Sequence, residues 1–592
     1  MKFTTRRRLY AIGFSLLLSS ALHAQSVSSP AIQIQGDRTL IYPALLDLPE
    51  ETTVWELLQL YPDLLQEGFD RLLTNYQLRL DNVLLASDYR LVLSDIKISE
   101  VKNLQVCENP GVAKGTTGTG GIIDIRLKPA EKGGTGLVEL QAGTDNYLAP
   151  AVKVRYGSER SDLFVYSSHT NLKTMDGQLH TQKDFLHTQL NTHFSDHDEL
   201  QTVFYRQSKK DEDVESSSQT DQYRLRIGYT HTFNDLGTSL LLVANYQHSK
   251  TPESNMGNTA QTNYMQSCIY SDLPFGVVEL NTPLFVKGSS LMIGWEGDFS
   301  RNRYHHEQII GELTLNRKSN YHVTNNDLYA QLVYPVGNVS FSVGDRIMFF
   351  HYGLQSEKER WEKNSTHHML QTSFTWQPNA RHQLQGGYYR KFINPAYMKI
   401  SQEAWPDETG STWSVGNNDL TVTNVGQVKL AYSYTLPRLV VNAGLNYYHT
   451  SDIIKTEVLD EGLTTWVNSD KANAWKADLS LFYRLHALSL TAGATLNSIN
   501  YIPDETNQES RITYATFRLT PVLSLPCSFR AEGQFVFFTT KTPWRIANEN
   551  VCTYGALRLS KAFGNHLLLA AEWHDMFQSS RSAALGTISY RF

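Results

Sequence analysis

The 592-residue chain has no apolar run long enough for a transmembrane helix, and it carries only four cysteines, Cys107, Cys268, Cys527 and Cys552. Its longest apolar stretch, from Leu9 to Ala21, is well short of the roughly 20 residues a helix needs to cross a bilayer. Four scattered cysteines make neither a disulfide framework nor a metal site of recognisable spacing. Cys527 and Cys552 flank neighbouring predicted strands, and they either pair in an oxidising compartment or remain inert thiols. A strong charge of one sign is also missing. The net charge is −6 with no basic stripe, which argues against nucleic acid as a partner. No Ser-His-Asp, Cys-His or paired-carboxylate constellation falls on one predicted rim, so no catalytic residue is assigned and the chain reads as a non-enzyme.

Strand-forming aromatics are abundant. The chain has 31 Tyr, 25 Phe and 10 Trp, yet its mean hydropathy is only −0.36. That mixture suits a sheet with one apolar and one wet face. From about Gly136 onward, alternating segments recur. Val152, Val154 and Tyr156 alternate with Lys153 and Arg155, and Leu488, Leu490, Ala492, Ala494 and Leu496 alternate with Ser489, Thr491, Gly493 and Thr495. Many such segments run to about ten residues, the length of a tilted membrane strand rather than of a sandwich strand. The last seven residues, Gly586-Thr-Ile-Ser-Tyr-Arg-Phe592, put Ile588, Tyr590 and Phe592 on one side. An apolar face running to a terminal aromatic fits a closed barrel in lipid.

Short turns such as Val336-Gly-Asn338 and Leu436-Pro-Arg438 alternate with longer polar segments over 210–220, 301–325, 353–364, 392–423 and 542–550. This sorting predicts periplasmic turns and extracellular loops. The hairpins add up to about 22 antiparallel strands of a transmembrane β-barrel.

The segment before the barrel reads differently. Lys2, Arg6, Arg7 and Arg8, an apolar run and Ala24 have the order of a secretory signal over residues 1–24. Residues 25–130 then read as a small α+β plug, and 131–592 as the barrel. Thr53-Val-Trp-Glu-Leu-Leu-Gln-Leu60 predicts a short amphipathic helix. Short strands are expected around Gln77, Val83 and Asn103, with another over Ile122-Ile-Asp-Ile-Arg-Leu-Lys128. A barrel this wide has room for such a plug.

Specific motifs carry a resemblance. Val101-Lys-Asn-Leu-Gln-Val-Cys-Glu-Asn109-Pro110, the loop with Gly118, Gly120 and Gly121, and the strand that follows resemble the end of the plug in TonB-dependent receptors. Within that group they are similar to the outer-membrane β-barrel family common in Bacteroidetes. Arg390-Lys-Phe-Ile-Asn-Pro-Ala-Tyr397 and Gly416-Asn-Asn-Asp-Leu420 resemble that family's paired barrel motifs, although Asn418 stands where the second normally has Pro. The resemblance implies the cell outer membrane of a Gram-negative bacterium and the barrel assembly machinery as a partner. It also implies a TonB-type energising protein and import of a scarce nutrient past the plug, with a surface lipoprotein as a further partner. No TonB box is evident. Ile32, Gln33 and Ile34 are the one candidate, and an ordinary plug strand explains them as well. The alternative from another class is a non-energised surface-binding or structural barrel working with a lipoprotein or adhesin.

Other candidates have plainer explanations. The Gly115 to Gly121 run lacks the Gly-Lys-Ser/Thr ending of a phosphate loop, so no nucleotide or other cofactor is expected. His305-His306 and His367-His368 fall on predicted successive loops and could ligate a metal, but solvated histidines are the better expectation and no metal is assigned. Asp211-Glu-Asp213 and Glu215 read as a solvated acidic loop. Tyr397, Trp405 and Trp413 in the 392–423 loop are the expected ligand contacts, because aromatics at a barrel mouth can stack on rings. An interfacial aromatic belt explains them equally well.

Overall fold

Two units divide the described residues, a small sheet and a barrel that carries a further four-stranded sheet outside its strand order. The computed structural model describes residues 32–35, 38–45, 52–59, 76–81, 83–84, 93, 96–107 and 121–128 of the first part. Of the second it describes 132–592 apart from 174–178, 214–215, 257–263, 311–312, 396, 407–411, 437, 470, 502–509, 540–552, 565, 575 and 577–582. The expected signal segment and Asn109, Pro110, Gly118 and Gly120 lie outside these residues.

The first sheet has six strands in the spatial order Ile32–Gln35, Arg38–Ile41, Val101–Cys107, Gly121–Leu127, Tyr76–Leu80 and Val83–Leu84. Gly121 opens its strand, and Ile122, Ile123 and Ile125 on that strand are wholly buried. The predicted helix is Val54–Gln59. Six residues cannot hold a helix in water, so packing must. Val54, Trp55, Leu57 and Leu58 are all buried. Backbone bonds from Val54 to the Ile96 carbonyl (2.8 Å) and from Ile98 to the Thr52 carbonyl (2.8 Å) fix the helix start.

The second sheet closes into a barrel of 22 antiparallel strands. Arg360–His368 and Gln371–Asn379 are halves of one strand against Val339–Ser356, because the register from His368↔Ile347 to Gln371↔Gly344 is unbroken. The last strand, Ala583–Arg591, pairs with the first, Gly133–Gly143, in the register Ile588↔Leu140 and Tyr590↔Val138. Period two then does what the bilayer demands. Val138, Leu140, Ile588, Tyr590 and Phe592 face outward, and Glu139, Gln141, Thr587 and Ser589 are buried inward. Ser589 donates to Glu139 Oε2 at 2.5 Å across this closing seam.

Strand lengths vary from eight residues at Leu567–His574 to 24 at Leu313–Val336. The short turns gather on one rim, as expected. The long loops do not all exist. Strands Asp198–Asp213 and Ser216–Thr232, Ser290–Ile310 and Leu313–Val336, and Val339–Ser356 and Arg360–His368 run through most of the predicted 210–220, 301–325 and 353–364 loops. Above the membrane both faces of a strand meet water, so alternation fades from the sequence while the backbone ladder continues.

Candidate functional site

Two places inside the wall are filled by the chain's own residues. The first is where the small sheet meets it. Ile41, Trp55, Leu57, Leu78, Leu93 and Val101 share one buried apolar cluster with wall residues Ala151, Phe164, Tyr166, Phe185 and Tyr205. The wall rings interlock, with Phe185 centred 5.6 Å from Tyr166 and 5.3 Å from Tyr205. Each such pair adds about 0.5–1.5 kcal/mol beyond burial. Beside this cluster Arg155 ties wall to plug. Its guanidinium donates to the Lys128 carbonyl (2.8 Å), pairs with Glu100 (3.5 Å), and is held by wall residue Asp162 at 2.7 Å. Gln201 of the wall donates to the Asp81 carbonyl at 3.0 Å. A polar crevice of about 460 Å³ runs between these groups, lined by Asp81, Asn103, Arg126, Asp162 and Arg226.

The second place is the extracellular mouth. Along Val339–Ser356 the inward residues change from Ser342 and Arg346 to Met348, Phe350, Tyr352 and Leu354. Arg346 is buried between Asp327 (2.5 Å) and Glu296 (2.9 Å), so the charge deeper in the wall is paired. The apolar upper wall is covered by the chain's own Ile400, Leu420 and Val422. These belong to a cap built from two segments. Short strands Ala404–Pro406 and Trp413–Val415 join hairpin Ile453–Asp460 and Leu463–Ser469 in a four-stranded sheet outside the barrel order.

Side chains moor this cap. Lys363 Nζ donates to the carbonyls of Asn418 (3.0 Å) and Leu420 (2.9 Å). Glu359 accepts from Ser401 Oγ (2.6 Å) and the Gln402 amide (3.0 Å). Asn468 accepts from the Thr421 amide at 2.7 Å. The motifs at 390–397 and 416–420 form the two legs of one loop, joined by the Asn417 amide and the Lys399 carbonyl at 2.7 Å.

The predicted site residues fall as follows. Trp413 is half-buried in the cap sheet, Trp405 belongs to the strand paired with it, and Tyr397 opens a four-residue helix, Tyr397–Ile400. Ile32, Gln33 and Ile34 form an edge strand of the plug, paired with Ile41, Leu40 and Thr39. The histidine pairs are not on loops, which corrects that expectation. They lie on strands, so neighbours face opposite ways: His367 packs inward on Phe392 (4.9 Å) while His368 bonds Asp345 outside (3.1 Å). Among the described residues no group of three or more His, Cys, Asp or Glu side chains is placed to hold a metal. Two acids of the run are paired with its own lysines, Asp211 with Lys209 and Glu212 with Lys210, each at 2.5 Å, and Glu215 lies outside the described residues. Cys527 is a free, exposed thiol in the turn before Phe529–Phe538. Cys552 lies outside the described residues. Its neighbour Thr553 pairs with Phe537, at the far end of that strand from Cys527. Sequence reasoning missed Lys363, Glu359 and Asn468, whose only signal was polarity in a polar stretch.

A profile of the outer membrane protein beta-barrel family matches residues 231–591, well over half the chain. The chain belongs to that family. This family member therefore spans the outer membrane through its 22 strands. No curated protein sequence matches it. Among solved structures it is similar to the siderophore receptor PirA from Pseudomonas aeruginosa, at 12% identity over 95% of this chain and 100% of that one, with TM-score 0.66. It is also similar to the copper transporter OprC, at 12% identity, 96% and 100% coverage and TM-score 0.71. The ferric yersiniabactin uptake receptor FyuA from Yersinia pestis matches at 12% identity, 94% and 98% coverage and TM-score 0.71. At such identities the likeness is one of fold, and it covers plug and barrel together.

Proposed function

We propose that this outer-membrane protein is a TonB-coupled receptor that captures a scarce nutrient at its extracellular mouth and admits it beside the plug. The observation that carries this reading is the folded six-stranded sheet tied to the inner wall by Arg155 and the ring cluster. A passive pore needs an open lumen, whereas here passage requires moving a packed domain, and a partner can supply the energy. The named functions of the structural neighbours, siderophore, copper and ferric-chelate uptake, favour a metal complex as cargo. Tyr397, Trp405 and Trp413 are the proposed ligand contacts, and Ile32, Gln33 and Ile34 the proposed coupling segment.

A second reading, a non-energised barrel serving a surface lipoprotein, draws on one observation. The proposed coupling residues are already hydrogen-bonded in the plug sheet. Binding of the full-length protein in detergent to the periplasmic domains of TonB-type proteins separates the two. Specific binding that I32P combined with I34P abolishes supports coupling. Failure to bind any of them overturns it and leaves the surface-partner reading.

A further inference from the structure

The four-stranded cap sheet has two edges of opposite character. One is Ala404–Pro406, three residues ending in Pro, the short kind of edge that resists pairing. The other is Ile453–Asp460, which among the described residues pairs only with Leu463–Ser469. Its position is fixed at the base. The chain bends aside at Asp452 (φ 58°), whose carboxylate accepts from Ser451 Oγ (2.9 Å) and Asn424 Nδ2 (2.8 Å) while its carbonyl accepts from Asn468 Nδ2 (2.8 Å) and Thr423 Oγ1 (3.0 Å). At the other end a bulge after Val458 closes the straight part. Such an edge offers backbone N–H and C=O groups to an added strand. Val458 is 73% exposed and Leu459 58%, in an extracellular cap where no lipid covers them.

The sequence of this edge is its own complement. Set antiparallel to a second copy with Thr456 opposite its twin, Ile454 meets Val458 and Lys455 meets Glu457, each twice because the pairing is symmetric. Opposite charges and apolar pairs across a ladder favour pairing, and like charges oppose it. Other registers fail. Centring the pair on Lys455 or on Glu457 sets like charges opposite one another, and a slip of one residue puts Glu457 against Ile454 or Lys455 against Val458. Inside the hairpin Lys455 and Glu457 stand opposite Val467 and Thr465, and among the described residues neither has an ion-pair partner. An edge Lys ordinarily discourages pairing. Here it discourages all but the identical strand. We infer that Ile453–Val458 is a self-association edge that joins two neighbouring copies of this chain through one sheet running between their caps.

The test uses the full-length protein, first in outer membranes with its four native cysteines changed to Ser. On that background a short bismaleimide should join T456C to its twin, whereas V458C should stay unlinked, since the register holds two such residues about 13 Å apart. Heat-modifiable gel mobility checks that each variant is a closed barrel. In detergent, sedimentation equilibrium should show a dimer whose dissociation constant rises about tenfold in K455E and in E457K, because each change sets like charges opposite one another twice. The double variant K455E/E457K should restore the dimer, and so should an equimolar mixture of the two single variants. Absence of a T456C cross-link, equal linking of T456C and V458C, or a dimer indifferent to both charge changes overturns the proposal. Cross-linking of T456C to a different protein overturns the assignment to a second copy.

Discussion

Asp81 illustrates how one side chain can make plug seating depend on pH. It caps the turn between strands Tyr76–Leu80 and Val83–Leu84 in a left-handed conformation (φ 48°). Burial pushes its carboxyl up to about 6, against the pull of the Leu127 amide, which donates to Oδ1 at 3.0 Å, and of nearby Arg126. In an unfolded plug the same group titrates near 4. Between about 4 and 6 the unfolded state has therefore lost a proton that the folded state keeps, so the plug loses stability as pH rises through that window and levels off above it. Protection of the Leu127 amide, its exchange rate taken relative to the intrinsic rate at each pH, should fall across this range in the wild type. D81N should flatten the dependence; an unchanged slope in that variant would place the titrating group elsewhere.

Single elements explain what was legible in advance. The closing strand could be read from its alternation, and its partner contact gives a sharp contrast between two glycines. A Cβ at Gly136 would enter the ring of Phe592, whose backbone it also grips in both directions (2.9 and 3.0 Å). A Cβ at Gly134 would meet only Tyr156, at 3.8 Å. G136A should push the exposed Phe592 ring aside and cost about 1 kcal/mol, the low end of an overpacking penalty, seen as a lower temperature for the mobility shift of the closed barrel, while G134A should leave it unchanged. The strand count and the plug strands were legible because lipid or a core lies on one side, which enforces period two. The hairpin extensions were not, since both their faces are wet. The cap was hidden for another reason. It joins Trp413–Val415 in parallel to Leu463–Thr465, some 50 residues away, and Lys363 grips it from a third segment. No local pattern encodes such a meeting.

At the scale of the whole molecule, one apolar cluster and a few polar ties join plug and wall among the described residues. Arg155→Ala would leave Asp162 and Glu100 without their shared cation and the Lys128 carbonyl without its donor. Breaking a buried pair costs about 3–5 kcal/mol, and the partial exposure of Glu100 puts this one at the low end. The expected outcome is leak current through R155A barrels in planar bilayers where the wild type stays closed. Equal currents would mean that the ring cluster alone seats the plug. The order of strands in the plug sheet has a mechanical consequence. Ile32–Gln35 is outermost, bonded among the described residues only to Arg38–Ile41, which in turn meets Val101–Cys107 through three residue pairs. Under tension from the N-terminal side these rungs would fail one after another, like a tab torn along its perforation. The strands beyond them, moored to the wall through Lys128, would stay where they are.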